Sequence, residues 1–302
     1  MEEFKVMLNL QLQLFLLIAL GYLAAKKGII RKSVRSALTD LFIYFILPCN
    51  IFNAFHVDFA EGFIVKGFII IVAMLVNQAF CLLLSRVLYN KKPPEKKKVF
   101  QYGTLCSNCG FMGNPIIQGV YGNEGLLYGS IALIPMRIFM WSFGLSVFTK
   151  TDRKHLLKQL LTHPCIIAVE LGILRMVTGI NLPVFVDKTV GSLSNCVTAL
   201  SMIVIGSILA EVNFKTIFEA DVFFYSFIRL ILIPGVTLLV MKLLHIDAIL
   251  TGVTVLLAGM PAASLTAILA EKYNGDSLLA SKCVFVSTII SIFTLPVFCL
   301  FV

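Results

Sequence analysis

The chain has 302 residues, 59% of them hydrophobic and 14% charged, with a mean hydropathy of +0.94. No soluble globular protein of this length needs so much apolar side chain, so composition selects an all-α polytopic membrane protein. The net charge of +9 does not indicate nucleic acid, because the basic residues sit in alternate loops, the positive-inside pattern.

Hydrophobic runs fall near 7–25, 36–55, 62–88, 100–119, 125–148, 164–181, 190–210, 222–242, 248–270 and 278–300. Ten spans of about 20 residues use roughly 200 residues and leave only short loops. The first run lacks a basic start and an A-x-A cleavage site, so it reads as a retained span. The first connection carries Lys26, Lys27, Arg31, Lys32 and Arg35. The third carries Arg86, Lys91, Lys92, Lys96, Lys97 and Lys98, and the fifth Lys150, Arg153, Lys154 and Lys158. These three are predicted to be cytoplasmic. Ten spans then place both termini outside the cell membrane.

The eight cysteines all lie in apolar stretches. Cys106-x-x-Cys109 has no histidine or second C-x-x-C beside it, so packing is favoured over redox or zinc chemistry.

Gly113-Asn114-Pro115 and Gly259-Met260-Pro261 each interrupt a hydrophobic stretch. Proline removes an N–H and clashes with the preceding turn. Spans 4 and 9 are therefore expected to unwind next to Pro115 and Pro261 and to cross near the midplane. The halves are alike elsewhere. Val57-Asp58-Phe59 matches Val212-Asn213-Phe214, and Gly122-Asn123-Glu124 matches Asn274-Gly275-Asp276, at offsets of 155 and 152 residues. Five spans per repeat, 1–150 and 151–302, force the second into the membrane upside down. Broken helices in two inverted repeats point to a transporter's binding site.

Leu41-Phe42-Ile43-Tyr44-Phe45-Ile46-Leu47-Pro48, Ser107-Asn108-Cys109-Gly110-Phe111-Met112-Gly113-Asn114-Pro115 and Met260-Pro261-Ala262-Ala263-Ser264 together resemble the signatures of the auxin efflux carrier family. Ser107 stands where that family usually has Gly. The resemblance covers essentially the whole chain. It implies crossed discontinuous helices 4 and 9, as in sodium/proton antiporters and bile-acid transporters. Spans 1, 2, 6 and 7 would form a scaffold, and spans 3–5 and 8–10 a moving transport domain. It also implies organic anions as substrates. The short connection after span 5 is that of a bacterial or short-form member, similar to malate and malonate permeases.

Candidate substrate-binding residues follow. Asn108 and Asn114 supply amides on the first broken span; Ser264 and Thr266 supply hydroxyls after Pro261. Gly113, Pro115, Gly259 and Pro261 shape the breaks. Each polar group has two readings, ligation of substrate or satisfaction of backbone freed at the break. Arg137, near the middle of span 5, can bind a carboxylate through two parallel hydrogen bonds. Lys282 and Arg229, nearer the cytoplasmic ends of their spans, are read as snorkelling to the interface. Glu170 and Arg175 in span 6 receive no role.

Neither 106–119 nor 256–269 contains Asp or Glu, so a midplane carboxylate proton relay is not expected. No cofactor or metal site is expected. Sodium coupling, proton coupling and uniport all stay open, as does a homodimer. The reading is a secondary transporter of a small organic anion, working by alternating access of an elevator-like kind, in which one domain slides against the other. The alternatives are a channel and a non-transport membrane protein, either a sensor or an intramembrane aspartyl protease suggested by Asn274-Gly275-Asp276. No G-x-x-x-x-G-K-[ST] loop supports ATP-driven pumping.

Overall fold

The computed structural model describes residues 2–55, 62–148, 162, 164–211, 219–263, 265–273 and 275–302. Secondary structure among them is helical apart from one isolated β-bridge. Five helices are long and apolar enough to cross a membrane: Lys32–Asn53, Phe63–Leu88, Val184–Leu209, Ala220–Leu243 and Ser277–Cys299. Leu12–Lys26 and Ala248–Ala258 are shorter apolar helices. The other predicted runs are divided by breaks and turns or reach the edge of the described residues. Large apolar side chains such as Ile64, Phe68, Phe185 and Phe293 point outward. Such a coat suits lipid.

The elements that position the site are α1 (Glu2–Lys26), α2 (Lys32–Leu41), α3 (Leu47–Ala54), α4 (Phe63–Leu88), α5 (Pro94–Leu105) and α6 (Asn114–Phe139). After α7 (Leu145–Phe148) come α8 (Pro164–Thr178), α9 (Val184–Asn195), α10 (Val197–Leu209), α11 (Ala220–Phe227) and α12 (Ile233–Leu243). The chain closes with α13 (Ala248–Ala258), α14 (Leu265–Lys272) and α15 (Ser277–Cys299). Gly122 bends α6 with φ 63° and ψ −153°, separating 114–121 from the rest. A side chain there would be strained.

Three widened turns have one cause. The π-turns Phe42–Ile46, Cys109–Gly113 and Ile228–Leu232 each end two residues before a proline: Pro48, Pro115 and Pro234. Proline has no N–H, and its ring collides with the carbonyl four residues back. An extra residue in the turn moves that carbonyl aside. The N–H groups of Leu47, Asn114 and Ile233 accordingly donate five residues back, to Phe42, Cys109 and Ile228.

Packing is closest between α1 and α10. A Cβ on Gly21 would lie 2.1 Å from the Ile203 carbonyl oxygen, and one on Gly206 1.9 Å from that of Ile18. Only glycine lets the two backbones meet there. Ion pairs mark the two ends of the bundle. Lys66 faces Glu124 at 3.8 Å and Asp247 at 3.9 Å; Lys92 pairs with Asp221 at 2.6 Å. Hence α5 starts at the end where α4 finishes, and α13 at the end where α4 begins.

Candidate functional site

α5 and α13 run toward each other from opposite ends and stop at the same level. The backbone beyond each is not helical, and the two stretches pair. Ser107 and Ala262 form an antiparallel bridge. The Asn108 N–H donates to the Pro261 carbonyl at 2.8 Å, and the Ala263 N–H to the Cys106 carbonyl at 3.3 Å.

The first break is therefore at Cys106–Asn108, not next to Pro115 as the motif suggested. Pro115 lies in the first turn of α6, beyond a π-turn that accommodates its ring. The second break contains Pro261, as expected. The two G-x-P motifs thus do not occupy matching places, since Pro261 faces Asn108 while Pro115 lies seven residues beyond it. Gly113 and Gly259 serve packing. Cβ atoms on them would lie 3.0 Å from Leu257 Cδ2 and 3.3 Å from Leu295 Cδ2.

Groups freed at the breaks must be satisfied within the protein. The Ala262 N–H donates to Ser287 Oγ at 3.1 Å. The Leu257 carbonyl faces the Cys109 thiol at 3.3 Å and the Ser107 hydroxyl at 3.5 Å. Arg229 donates from Nε to the Met260 carbonyl at 2.9 Å and from Nη1 to the Thr104 carbonyl at 3.1 Å.

Arg229 corrects the expectation of a snorkelling side chain, being 2% exposed. The π-turn before Pro234 carries it, and its partners lie 31 and 125 residues away in sequence. An ionisable residue seven positions inside the hydrophobic run at 222–242 was the available signal. Lys282 is likewise buried, its ammonium paired with Glu219. Arg175 pairs with Asp187 at 2.8 Å and lies over the Phe52 ring, while Glu170 is exposed. Asp276, suggestive of a protease, accepts from the Leu279 N–H as the N-cap of α15.

The break backbone is thus served by Arg229, Ser287, Ser107, Cys109 and by itself, leaving the candidate side chains unused. Asn108 Nδ2, both amide atoms of Asn114, Arg137 Nη1 and Thr266 Oγ1 are buried without a hydrogen-bond partner. Asn114 and Thr266 are 0% exposed and Arg137 7%. Arg137 stands in the last turn of α6, with the Cys165 thiol of α8 in hydrogen-bonding reach and Cys109 close by. Ser264 lies outside the described residues. An orphaned buried polar atom costs about 1–3 kcal/mol. Five such atoms lie on residues flanking or facing the two breaks; Asn50 Oδ1, Gln78 Oε1, Tyr102 Oη, Arg175 Nη1, Tyr225 Oη and Thr294 Oγ1 are likewise without a protein partner.

A further polar contact was not foreseen. Asn50 of α3 donates to Ser194 Oγ of α9 at 3.0 Å and to Gln118 Oε1 of α6 at 3.3 Å. Among the described residues no cluster of His, Cys, Asp and Glu could hold a metal ion.

The chain matches the family described as membrane transport protein over residues 6–158 and 151–299. It is 28% identical to an uncharacterized transporter of Methanothermobacter thermautotrophicus over 295 residues, covering 94% of this chain and 95% of that one. It is 24% identical to the uncharacterized transporter MJ1031 of Methanocaldococcus jannaschii over 296 residues, with 94% and 95% covered. The uncharacterized transporter YfdV of Escherichia coli is 21% identical over 298 residues, 94% of each chain. Both halves of an all-helical chain with two facing breaks fall to one transporter family, and the chain therefore belongs to the auxin efflux carrier family of membrane transport proteins.

Proposed function

We propose that the protein moves a small organic anion, a mono- or dicarboxylate, across the cell membrane by alternating access. The observation that carries this reading is the set of unpaired buried groups on Asn108, Asn114, Arg137 and Thr266. Amide N–H and guanidinium groups donate to a carboxylate, and Arg can do so through two parallel bonds. No Asp or Glu occurs in 106–119 or 256–269 to repel an anion or hold a cation. Gly113, Pro115, Gly259 and Pro261 set the backbone around these groups, and Ser264 would add a hydroxyl.

The chain is read as ten spans in two inverted five-helix repeats, 1–150 and 151–302, with both termini outside. The Ser107–Ala262 bridge supports this, since these residues are 155 apart. That is the offset at which Val57-Asp58-Phe59 and Val212-Asn213-Phe214 match. An antiparallel bridge between equivalent residues is what a two-fold axis through the crossing produces. Spans 1, 2, 6 and 7 act as scaffold, and spans 3–5 and 8–10 as the moving body, elevator-like. The glycine-mediated fit of α1 to α10 suits a fixed frame. The Asn50–Gln118 bond crosses from one set to the other and must break if they slide.

The test is a thermal-shift screen of small mono- and dicarboxylates on purified protein, followed by uptake of any stabilising compound into proteoliposomes. A ligand at 100 times its dissociation constant adds roughly 2.7 kcal/mol of stability. Transport of a cation, with no anion carried, would overturn the assignment.

A further inference from the structure

Arg229 is a buried cation with no carboxylate paired to it among the described residues. Its negative partners are the carbonyls of Thr104, in the last turn of α5, and of Met260, two residues beyond the end of α13. Each helix C-terminus carries roughly half a negative charge. Two of them converging in a low-dielectric interior need about one positive charge between them. Ion-coupled carriers with broken helices ligate a dissociable cation with such carbonyls. In this chain a guanidinium on a neighbouring helix already occupies the position.

The geometry favours Arg over Lys. Nε and Nη1 lie in one rigid plane, and here they reach one carbonyl from each half of the molecule at once. The side chain is presented by the π-turn that Pro234 imposes, so its approach is fixed by the backbone.

We propose that Arg229 is a tethered counter-cation. It fills the place at the paired helix ends that a free alkali cation would otherwise take. The wild-type protein therefore ligates no sodium at Thr104 and Met260, and removing the guanidinium opens a sodium site there. The proposal goes beyond the anion reading and does not depend on it.

The experiment uses no anionic substrate, so it fails or succeeds independently of that reading. Thermal unfolding of purified full-length protein is followed as choline chloride is replaced by sodium chloride at constant ionic strength. Wild type is expected to keep one Tm throughout. Arg229→Ala is expected to unfold at lower temperature in choline and to recover saturably in sodium. The recovery should be about 3 °C at about ten times the dissociation constant. Arg229→Lys, which keeps the charge, should show no sodium response. A folded Arg229→Ala with no saturable response overturns the proposal, and so does a saturable response in wild type. Should Arg229→Ala not fold, Arg229→Gln takes its place under the same two criteria, and binding of radioactive sodium to wild type is the second measurement. Absence of saturable binding supports the tethered cation, and saturable binding refutes it.

Discussion

Gly206 meets the backbone of Ile18 so closely that a Cβ on it would stand 1.9 Å from the Ile18 carbonyl oxygen. The obstacle is backbone, not the end of a flexible side chain, so neither helix can yield locally. Gly206→Ala should cost about 2 kcal/mol or more, and Gly21→Ala a similar amount. Gly235, whose added Cβ would meet nothing within 4 Å, is the control. Gly235→Ala should be neutral or slightly stabilising. Apparent Tm in detergent separates the three, and equal effects at Gly206 and Gly235 would refute the close approach.

Asn114 is 0% exposed with neither amide atom bonded. No protein group offsets the desolvation of its amide. Asn114→Leu should therefore raise stability by about 1 kcal/mol while abolishing the thermal response to any stabilising carboxylate. Thr266→Val, which removes one hydroxyl at nearly constant shape, should act in the same direction more weakly. If both variants lose stability and keep the ligand response, the unpaired groups are not a binding site.

Arg137→Gln and Arg137→Lys discriminate among roles for that side chain. A bidentate contact predicts weaker binding in both, with Gln the worse by at least tenfold in Kd. A purely electrostatic role predicts that Lys is tolerated. Binding isotherms on folded protein are the measurement. Wild-type affinity in Arg137→Gln would rule out the contact.

Single cysteines at Lys27, Lys97 and Lys154, in a background lacking the native eight, test the orientation. All three should resist an impermeant thiol reagent applied from outside. Ready labelling of all three would reverse the topology. Lys154 lies outside the described residues, so its placement rests on charge alone.

The second break was legible because Gly259-Met260-Pro261 falls directly after the last turn of α13, where no helix can continue. The first was misplaced because the same three-residue spelling at Gly113-Asn114-Pro115 begins a helix. Proline is tolerated in a first turn, and the spelling does not record which side of it is helical. Asn108, Asn114, Arg137 and Thr266 were singled out from residue type, since polar side chains beside breaks and charges inside spans are costly wherever they point. Arg229 was misread because its distance from the nearest loop permits snorkelling. Its true partners are two main-chain carbonyls, and a carbonyl is present at every residue, so no side-chain pattern marks them. Asn50, Ser194 and Gln118 come from three separate stretches and share no spacing that sequence alone would connect.

The fit of α1 against α10 also sets an order of assembly. Ile18 and Gly206 are 188 residues apart. During synthesis the first helix enters the bilayer long before its partner exists. Until then its inward face, with Leu14 and Ile18, must rest against lipid, which its apolar side chains allow. Severing the chain within 149–161 would therefore yield two fragments that each lack one wall of the frame. Neither should accumulate alone, whereas the two made together should find each other and restore the fold.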